Sequence, residues 1–382
     1  MAGEFDLGSD HLRSLPMARV ERGHRPIANL KRESTMNVFT RKVTRRSVFA
    51  GGAALAVGAA APRLVMAAGS ASLADLPYEV NIVNTGSNAT LVLQALLDQL
   101  GYLKEFNVNA NTVNVGDGTK LMGSLISSQA DICLLSGFSQ VLPAIERGAK
   151  LKLVAGANRL IAQALYTSNP DIKTVEDLRG KTVGTGAIGA LLHQMMIALL
   201  RKHGIDPSEV QFVNIGSSGA VFKAVVAGKV DAGPAMVDVY DQQADYGVHA
   251  IADFWSELSE YPYQGSYAGQ KAIDEKGDGL ARVLAAYGKM YRFMMEDPSA
   301  EDAFMTAYKT AIGAADESQG RMMIKFTRDT QSYAADLMIT KEQIDYMQDL
   351  NLELEVQKQR LSFDQIVDLS LAKKAVALIE AA

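Results

Sequence analysis

The sequence predicts an α/β protein built as two similar lobes and finished by helices, and three observations carry that prediction. Past Leu76-Pro77, short apolar runs alternate with Gly/Ser turns and stretches of helical periodicity, the pattern of α/β domains rather than of a sandwich or a bundle. The order of these elements then repeats, and the interval of 45 positions from Gly86 to Asp131 recurs from Gly186 to Asp231. From Asp274 onward the pattern is helical almost throughout. At 382 residues, 48% hydrophobic and 21% charged, the chain is long enough for two domains and a large core; its composition excludes wholesale disorder and a polytopic membrane protein.

Tyr78 to Asn84 reads as a strand, followed by the turn Thr85-Gly86-Ser87-Asn88. Leu91, Val92, Ala95, Leu96 and Leu100 then share one helical face, and Gly101 supplies the stop, since glycine accepts the left-handed cap conformation. A second strand ends near Val113-Asn114-Val115. The turn Gly116-Asp117-Gly118 opens a helix carrying Leu121, Met122, Leu125 and Ile126, and Asp131 starts the next strand. A helix from Gln140 to Arg147 and a strand from Lys150 to Ala157 follow.

The second half repeats the order. Lys181-Thr182-Val183 is a strand, Gly184 to Gly189 a turn, and Leu192, Met195, Met196 and Leu199 mark a helical face that ends at Gly204. The strand Val210 to Asn214, the turn Gly216-Ser217-Ser218-Gly219, a helix to Gly228 and a strand starting at Asp231 come next. Asn169-Pro170-Asp171 and Tyr261-Pro262-Tyr263 bracket this half as crossovers, because proline removes a backbone donor. In the helical end, Leu280, Val283, Leu284, Tyr287, Tyr291 and Met294 lie on one face. Helices near 299–312, 316–335 and 340–358 follow, with Ser362 or Asp364 capping a last one. The paired methionines Met294-Met295 and Met322-Met323 read as core filler.

The net charge of −5 is unevenly placed: residues 1–67 hold eleven Lys/Arg against five Asp/Glu, leaving 27 basic and 38 acidic residues in the body. Such a body does not attract nucleic acid or anionic membranes. A single cysteine, Cys133, forbids internal disulfides and thiolate metal clusters, and its apolar run marks it as a buried strand residue.

From Met36 the chain carries a basic stretch, then a small-residue apolar run from Ala50 to Ala61, and Val65-Met66-Ala67 offers a peptidase site; cleavage is expected near Ala67 or Ala71. Thr44-Arg45-Arg46-Ser47-Val48-Phe49 resembles the twin-arginine motif, whose translocase exports folded proteins. The run is too short to span a bilayer, which takes roughly 20 apolar residues. Residues 1–35 carry acids foreign to a leader and are read as an upstream segment without function. The expected destination is the periplasm or the outer face of a cell envelope.

Gly184-Thr185-Gly186-Ala187-Ile188-Gly189 matches G-x-G-x-x-G between a strand and a helix, yet the acid expected about 20 positions on is Asn214, so no dinucleotide cofactor is expected. The turn instead reads as one that presents amides to a smaller ligand, or as packing. Thr85 to Thr90, Thr185 to Gly189 and Gly216 to Gly219 each lead into a helix, where free N–H groups and the positive end of the dipole converge. Ser87, Asn88, Thr185, Ser217 and Ser218 add short polar side chains, which serve equally as helix caps. Arg159 is either the counter-charge of a carboxylate or sulfonate, or a surface arginine. The body's three histidines, His193, His203 and His249, are scattered, and His193 and His203 read as solvent-facing or helix-end residues. No zinc spacing, P-loop or G-x-S-x-G elbow is present; neither a catalytic group nor a metal is expected.

Gly180-Lys181-Thr182-Val183-Gly184-Thr185-Gly186, His203-Gly204-Ile205-Asp206-Pro207-Ser208-Glu209-Val210 and Ala227-Gly228-Lys229-Val230-Asp231-Ala232 resemble the NMT1/THI5-like solute-binding proteins. Leu100-Gly101-Tyr102-Leu103, Ser128-Gln129-Ala130-Asp131-Ile132 and Ile145-Glu146-Arg147-Gly148-Ala149 fit the same family in the same order, so the likeness runs over about 75–310. The resemblance implies a type II periplasmic-binding fold: two α/β lobes joined by two crossover strands that close on a solute and deliver it to an ABC permease in the inner membrane. Residues 77–168 with 262–311 would form one lobe and 169–261 the other, and 312–382 would be helices packing on the first lobe.

Matching positions imply a pocket at Ser87 and Asn88, at Ser136-Gly137-Phe138, at Thr185 to Gly189 with Ala187 and Ile188, at Ser217, and around Met236 to Asp238. Phe138, Trp255 or Tyr263 would stack on an apolar part of the ligand; Asp238 would favour an amino group or repel an anion. The family's pyrimidine-synthesising branch uses a cysteine-rich motif that this chain lacks. The expectation is a monomeric, non-enzymatic receptor for a small organic anion of sulfonate or carboxylate type. A neutral pyrimidine-like ligand is the alternative, and an enzyme or a membrane-docking sensor on the same fold are the rivals from other classes.

Overall fold

The computed structural model describes residues 76–115, 118–313 and 317–382. The export signal, both cleavage positions and Gly116-Asp117 of the second expected turn lie outside the described residues.

Among the described residues, ten strands form two five-stranded sheets. The first holds β1 (Tyr78–Thr85), β2 (Val108–Val115), β3 (Ile132–Ser136), β4 (Leu151–Gly156) and β10 (Gly265–Gly269), in the order β2-β1-β3-β10-β4. The second holds β5 (Gln163–Thr167), β6 (Thr182–Thr185), β7 (Gln211–Asn214), β8 (Ala232–Met236) and β9 (His249–Asp253), in the order β7-β6-β8-β5-β9. The plan is the same twice: three parallel strands, then one antiparallel strand, then an outer strand. Central strands such as β3 read as unbroken apolar runs because both faces are covered.

The repeated interval of 45 has a structural meaning. Asp131 donates its N–H to the Asn81 carbonyl at 2.8 Å, and its carboxylate accepts the Asn81 N–H at 2.8 Å. Asp231 does the same with Thr182, at 2.8 Å in both directions. Each aspartate thus ties the start of its lobe's third parallel strand to the first.

The antiparallel strand of each sheet arrives from the other lobe. The chain crosses once between β4 and β5 and again before β10, and the two crossings touch where Ala157 N–H donates to the Gln264 carbonyl at 3.1 Å and Gln264 N–H to the Asn158 carbonyl at 2.9 Å. Tyr261-Pro262-Tyr263 does lie on the second crossing. Asn169-Pro170-Asp171 does not lie on the first: it forms a turn after β5, with the Asp171 N–H on the Asn169 side chain at 2.9 Å. The expected boundary at 168/169 therefore falls one strand late, since β5 is already hydrogen-bonded in the second sheet. Crossing and strand run together as one apolar stretch from Leu160 to Tyr166, and no glycine or proline separates them.

Helices cover both sheets. The first lobe carries α1 (Asn88–Leu100), α2 (Tyr102–Glu105), α3 (Gly118–Ile126) and α4 (Val141–Glu146), and the second carries α5 (Leu191–Lys202), α6 (Ser218–Val226) and α7 (Phe254–Glu257). After β10 come α8 (Gln270–Glu296), with non-helical backbone at Lys276, and α9 (Ala300–Ile312), α10 (Ser318–Thr330), α11 (Lys341–Glu353), α12 (Phe363–Ile366) and α13 (Ser370–Glu380). α10 is shorter than expected because Gln331 turns left-handed, at φ 49°. None of the described helices is long and apolar enough to cross a membrane.

The C-terminal helices do not pack on the first lobe alone. Met322 and Phe326 of α10 cluster with Ala162 and with Val237 of the second lobe. α11 lies on α5, where Gln194 Nε2 donates to Asn351 Oδ1 at 2.8 Å and Arg201 pairs with Glu353. The chain then returns to the first lobe: the Glu146 carboxylate accepts the N–H groups of Lys358 and Gln359, both at 2.8 Å, and α13 packs on α8. Periodicity located these helices but says nothing about which partner each apolar face meets. Met294, Met295 and Met322 are buried as expected, and Cys133 is fully buried, its thiol pushed up to about 12 by loss of solvent.

Candidate functional site

The parallel strands of each sheet end in the turns singled out in the sequence. In the first lobe Ser87 caps α1: its Oγ accepts the Thr90 N–H at 3.2 Å and shares a 2.8 Å hydrogen bond with the Thr90 hydroxyl. Ser87 and Asn88 are exposed at the tip. In the second lobe the buried Thr185 ends β6, and its carbonyl accepts the N–H groups of Ile215 at 2.7 Å and Gly216 at 3.2 Å. That pair brings the turn after β6 against the turn after β7, where Ser217 caps α6 by accepting the Ala220 N–H at 3.3 Å.

Between Thr185 and α5 the chain makes an open turn. Ala190 N–H returns to the Ala187 carbonyl at 2.9 Å, Gly189 is left-handed at φ 76°, and Ile188 stands 84% exposed. The glycines here serve packing: a Cβ on Gly186 would lie 3.2 Å from the Gly216 carbonyl oxygen, and one on Gly184 3.1 Å from Val230. These contacts account for the G-x-G-x-x-G pattern without a dinucleotide. The first lobe meets the start of α5 directly, since a Cβ on Gly137, just after β3, would lie 3.4 Å from the Leu191 side chain.

Ala187, Ile188 and Ser217 thus sit at second-lobe turn tips around the buried Thr185, and Ser87 and Asn88 sit at the tip of a first-lobe turn. Ser136 and Met236 are half-buried at the strand edges. Phe138 is 1% exposed, its ring beneath Gly265, where a Cβ would come within 2.5 Å of it. Tyr263 is buried on the second crossing and accepts a hydrogen bond from Gln163 Nε2 at 3.2 Å. Trp255 meets Tyr240 and Phe326 edge-on, with ring centroids 5.4 and 5.2 Å apart. Arg159 pairs with Asp336, so its charge already has a carboxylate partner. Asp238 lines a cavity of about 510 Å³ between its own 3-10 turn, Val237–Gln242, and the α9–α10 side, with Asp241, Glu301, Arg321 and Lys325. Burial pushes its carboxyl up to about 6, against the opposing pull of the Val239 N–H.

His193 corrects the sequence reading. It is 6% exposed rather than solvent-facing, its ring lies edge-on to Phe212 at 4.7 Å, and Nδ1 accepts the Gly189 N–H at 3.2 Å. His203 does hold a helix end, between Glu176 at 2.8 Å and Glu257 at 3.4 Å. Among the described residues no group of three or more His, Cys, Asp or Glu is arranged to hold a metal ion.

The NMT1/THI5-like family model matches residues 91–301, more than half of the chain. The chain belongs to the NMT1/THI5-like family. A candidate binding protein of Bacillus subtilis (strain 168), YtlA, is 21% identical over 285 residues, covering 72% of this chain and 84% of YtlA. The periplasmic aliphatic sulphonate binding protein SsuA of Escherichia coli superposes with a TM-score of 0.63 at 19% identity, over 76% of this chain and 92% of SsuA. The desulfurization enzyme DszB superposes with a TM-score of 0.56 at 14% identity, over 78% of this chain and 99% of DszB. These likenesses show the fold: two α/β lobes of the periplasmic-binding type, type II in strand order, with a helical C-terminal region.

Proposed function

We propose that this NMT1/THI5-like chain is a periplasmic solute receptor of an ABC importer, and that it binds a small organic anion of sulfonate or carboxylate type between its two lobes. The observation that carries the reading is the start of α5. No side chain caps it, so the first-turn N–H groups of a 12-residue helix stand free for an acceptor beside the open turn and beside Gly137 of the other lobe. Such a helix end contributes about 0.3–1 kcal/mol to an anion, and up to about 2 when partly buried. The likeness to SsuA, named for aliphatic sulphonates, agrees with this ligand class.

One observation favours a neutral, pyrimidine-like ligand as the second reading: Arg159 is the sole cation among the expected contacts, and Asp336 already neutralises it. The likeness to DszB raises an enzyme on the same frame, but the chain's one thiol, Cys133, is buried and held protonated, unfit as a nucleophile. The receptor reading includes export through the twin-arginine translocase, monomeric action and delivery to an inner-membrane permease.

A thermal-shift screen of the chain against methanesulfonate, taurine, nitrate, short carboxylates and pyrimidines tests the proposal. Ligand at 100 times its dissociation constant adds about 2.7 kcal/mol of stability. Upward shifts confined to the sulfonates or carboxylates are expected. Shifts with pyrimidines alone favour the second reading, and silence from a folded protein overturns both.

A further inference from the structure

Among the described residues, His193 makes the one side-chain hydrogen bond to the far end of the open turn in the second lobe, against which Val356 also packs. The near end is fixed by backbone, through Thr185 on Ile215 and Gly216. The far end, Gly189, has the left-handed backbone of φ 76°, and its N–H is bonded to His193 Nδ1 at 3.2 Å. His193 is the third residue of α5, and the residue before that helix, Ala190, makes no side-chain cap. In a usual capping box the third helical residue reaches back to the N–H of the cap; here a histidine reaches one residue further, to Gly189. The bond needs a neutral ring with its proton on Nε2, and burial against Phe212 lowers the basicity of the ring, which favours that form.

We propose that His193 is a positioning residue for the ligand cleft: by holding the Gly189 N–H it sets where the 186–190 turn and the start of α5 stand. This deepens the proposed function and rests on that turn belonging to the ligand site. With the bond gone, Gly189 keeps its conformational freedom, and the exposed tip at Ala187-Ile188 is held on that side by the Ala190 N–H on the Ala187 carbonyl alone among its hydrogen bonds.

The test uses three substitutions in the full chain and reads hydrogen exchange of the Gly189 amide by NMR. His193→Leu fills the space without an acceptor. His193→Asn places Oδ1 where Nδ1 stood, whereas His193→Gln carries its oxygen one bond too far. Gly189 exchange is expected to rise about tenfold in the Leu and Gln variants and to stay near wild type in the Asn variant. Unchanged exchange in the Leu variant, or equal exchange in Asn and Gln, overturns the proposal, because a residue that only packs would not separate two amides of the same chemistry.

Methanesulfonate titration then reads the consequence for binding, with affinity expected to fall about tenfold in Leu and Gln and to return in Asn. Affinity unchanged in the Leu variant overturns the role in the cleft. If the wild type itself ignores methanesulfonate, the sulfonate reading fails, while the exchange arm still decides whether His193 holds the turn.

Discussion

The two lobes carry the same strand end and use it differently. β1 closes on Thr85-Gly86 and β6 on Thr185-Gly186, each as the middle strand of three parallel ones. In the first lobe α1 begins two residues later, and Ser87 satisfies its opening N–H groups from within the chain. In the second lobe the chain runs on through Ala187, Ile188 and Gly189 before α5 begins without a side-chain cap. The first turn is therefore closed on itself and the second is open. The residues seven positions past each anchoring aspartate diverge as well: Phe138 is a buried ring under Gly265, whereas Asp238 is a carboxyl pushed up to about 6. A shared frame fixes where the turns are; single substitutions decide which of them has groups to spare for a ligand.

The comparison is broken most severely at the frame itself. Asp131→Ala removes the partner of the Asn81 N–H and leaves Lys276, 2.7 Å from the carboxylate, without its counter-charge, so a loss of about 3 kcal/mol is expected. Asp231→Ala removes the Thr182 partner and is expected to cost about 2 kcal/mol. Urea denaturation measures both; a loss at one lobe only would mean that the repeated aspartates are not equivalent anchors.

Next in size is Asp238→Asn, which sharpens the contrast with Phe138. The carboxyl ionises near 3.8 in the unfolded chain and near 6 in the folded one, so the folded state keeps a proton that the unfolded state has given up. Stability accordingly falls as pH rises from about 4 to about 6 and stays level above. The full shift corresponds to about 3 kcal/mol; because Asp238 is only half-buried, the Asn variant is expected to be about 2 kcal/mol more stable than wild type at pH 8 and nearly equal to it at pH 3, in paired melts across that range. A variant that is no more stable at pH 8 would mean that the carboxyl is better solvated than its burial implies.

The smallest effects are at the caps. Ser87→Ala and Ser217→Ala each remove the bond that closes a helix start, and each is expected to cost about 1 kcal/mol. Introducing serine at Ala190, the uncapped start of α5, is expected to stabilise the chain by about 0.5 kcal/mol and to weaken ligand binding, because a side chain then competes for the freed amides. Equal melting and unchanged binding in that variant would remove the distinction between the two turns.

The frame was legible from Gly86, Asp131, Gly186 and Asp231 because backbone bonding between parallel strands constrains their spacing closely. The helices of the C-terminal end were legible as periodicity, and Ser362 did prove to cap one of them. What stayed hidden depends on partners distant in the chain. β5 carries no punctuation of its own, α11 declares itself a second-lobe helix through distant pairs, Gln194 with Asn351 and Arg201 with Glu353, and Arg159 is consumed by Asp336, 177 positions away. For His193 a local signal existed, a histidine four residues after the glycine that ends the turn before a helix, but its buried setting comes from Phe212 on β7.

The most direct test of a ligand held between two unlike turns is amide shift mapping by NMR, with the best ligand from the screen titrated into the full chain. Saturable shifts are predicted for residues 186–192 and, more weakly, for 86–90 and 136–138 of the other lobe. Shifts confined to one lobe, or gathered around Asp238, Arg321 and Lys325 in the charged cavity beside α10, would contradict it.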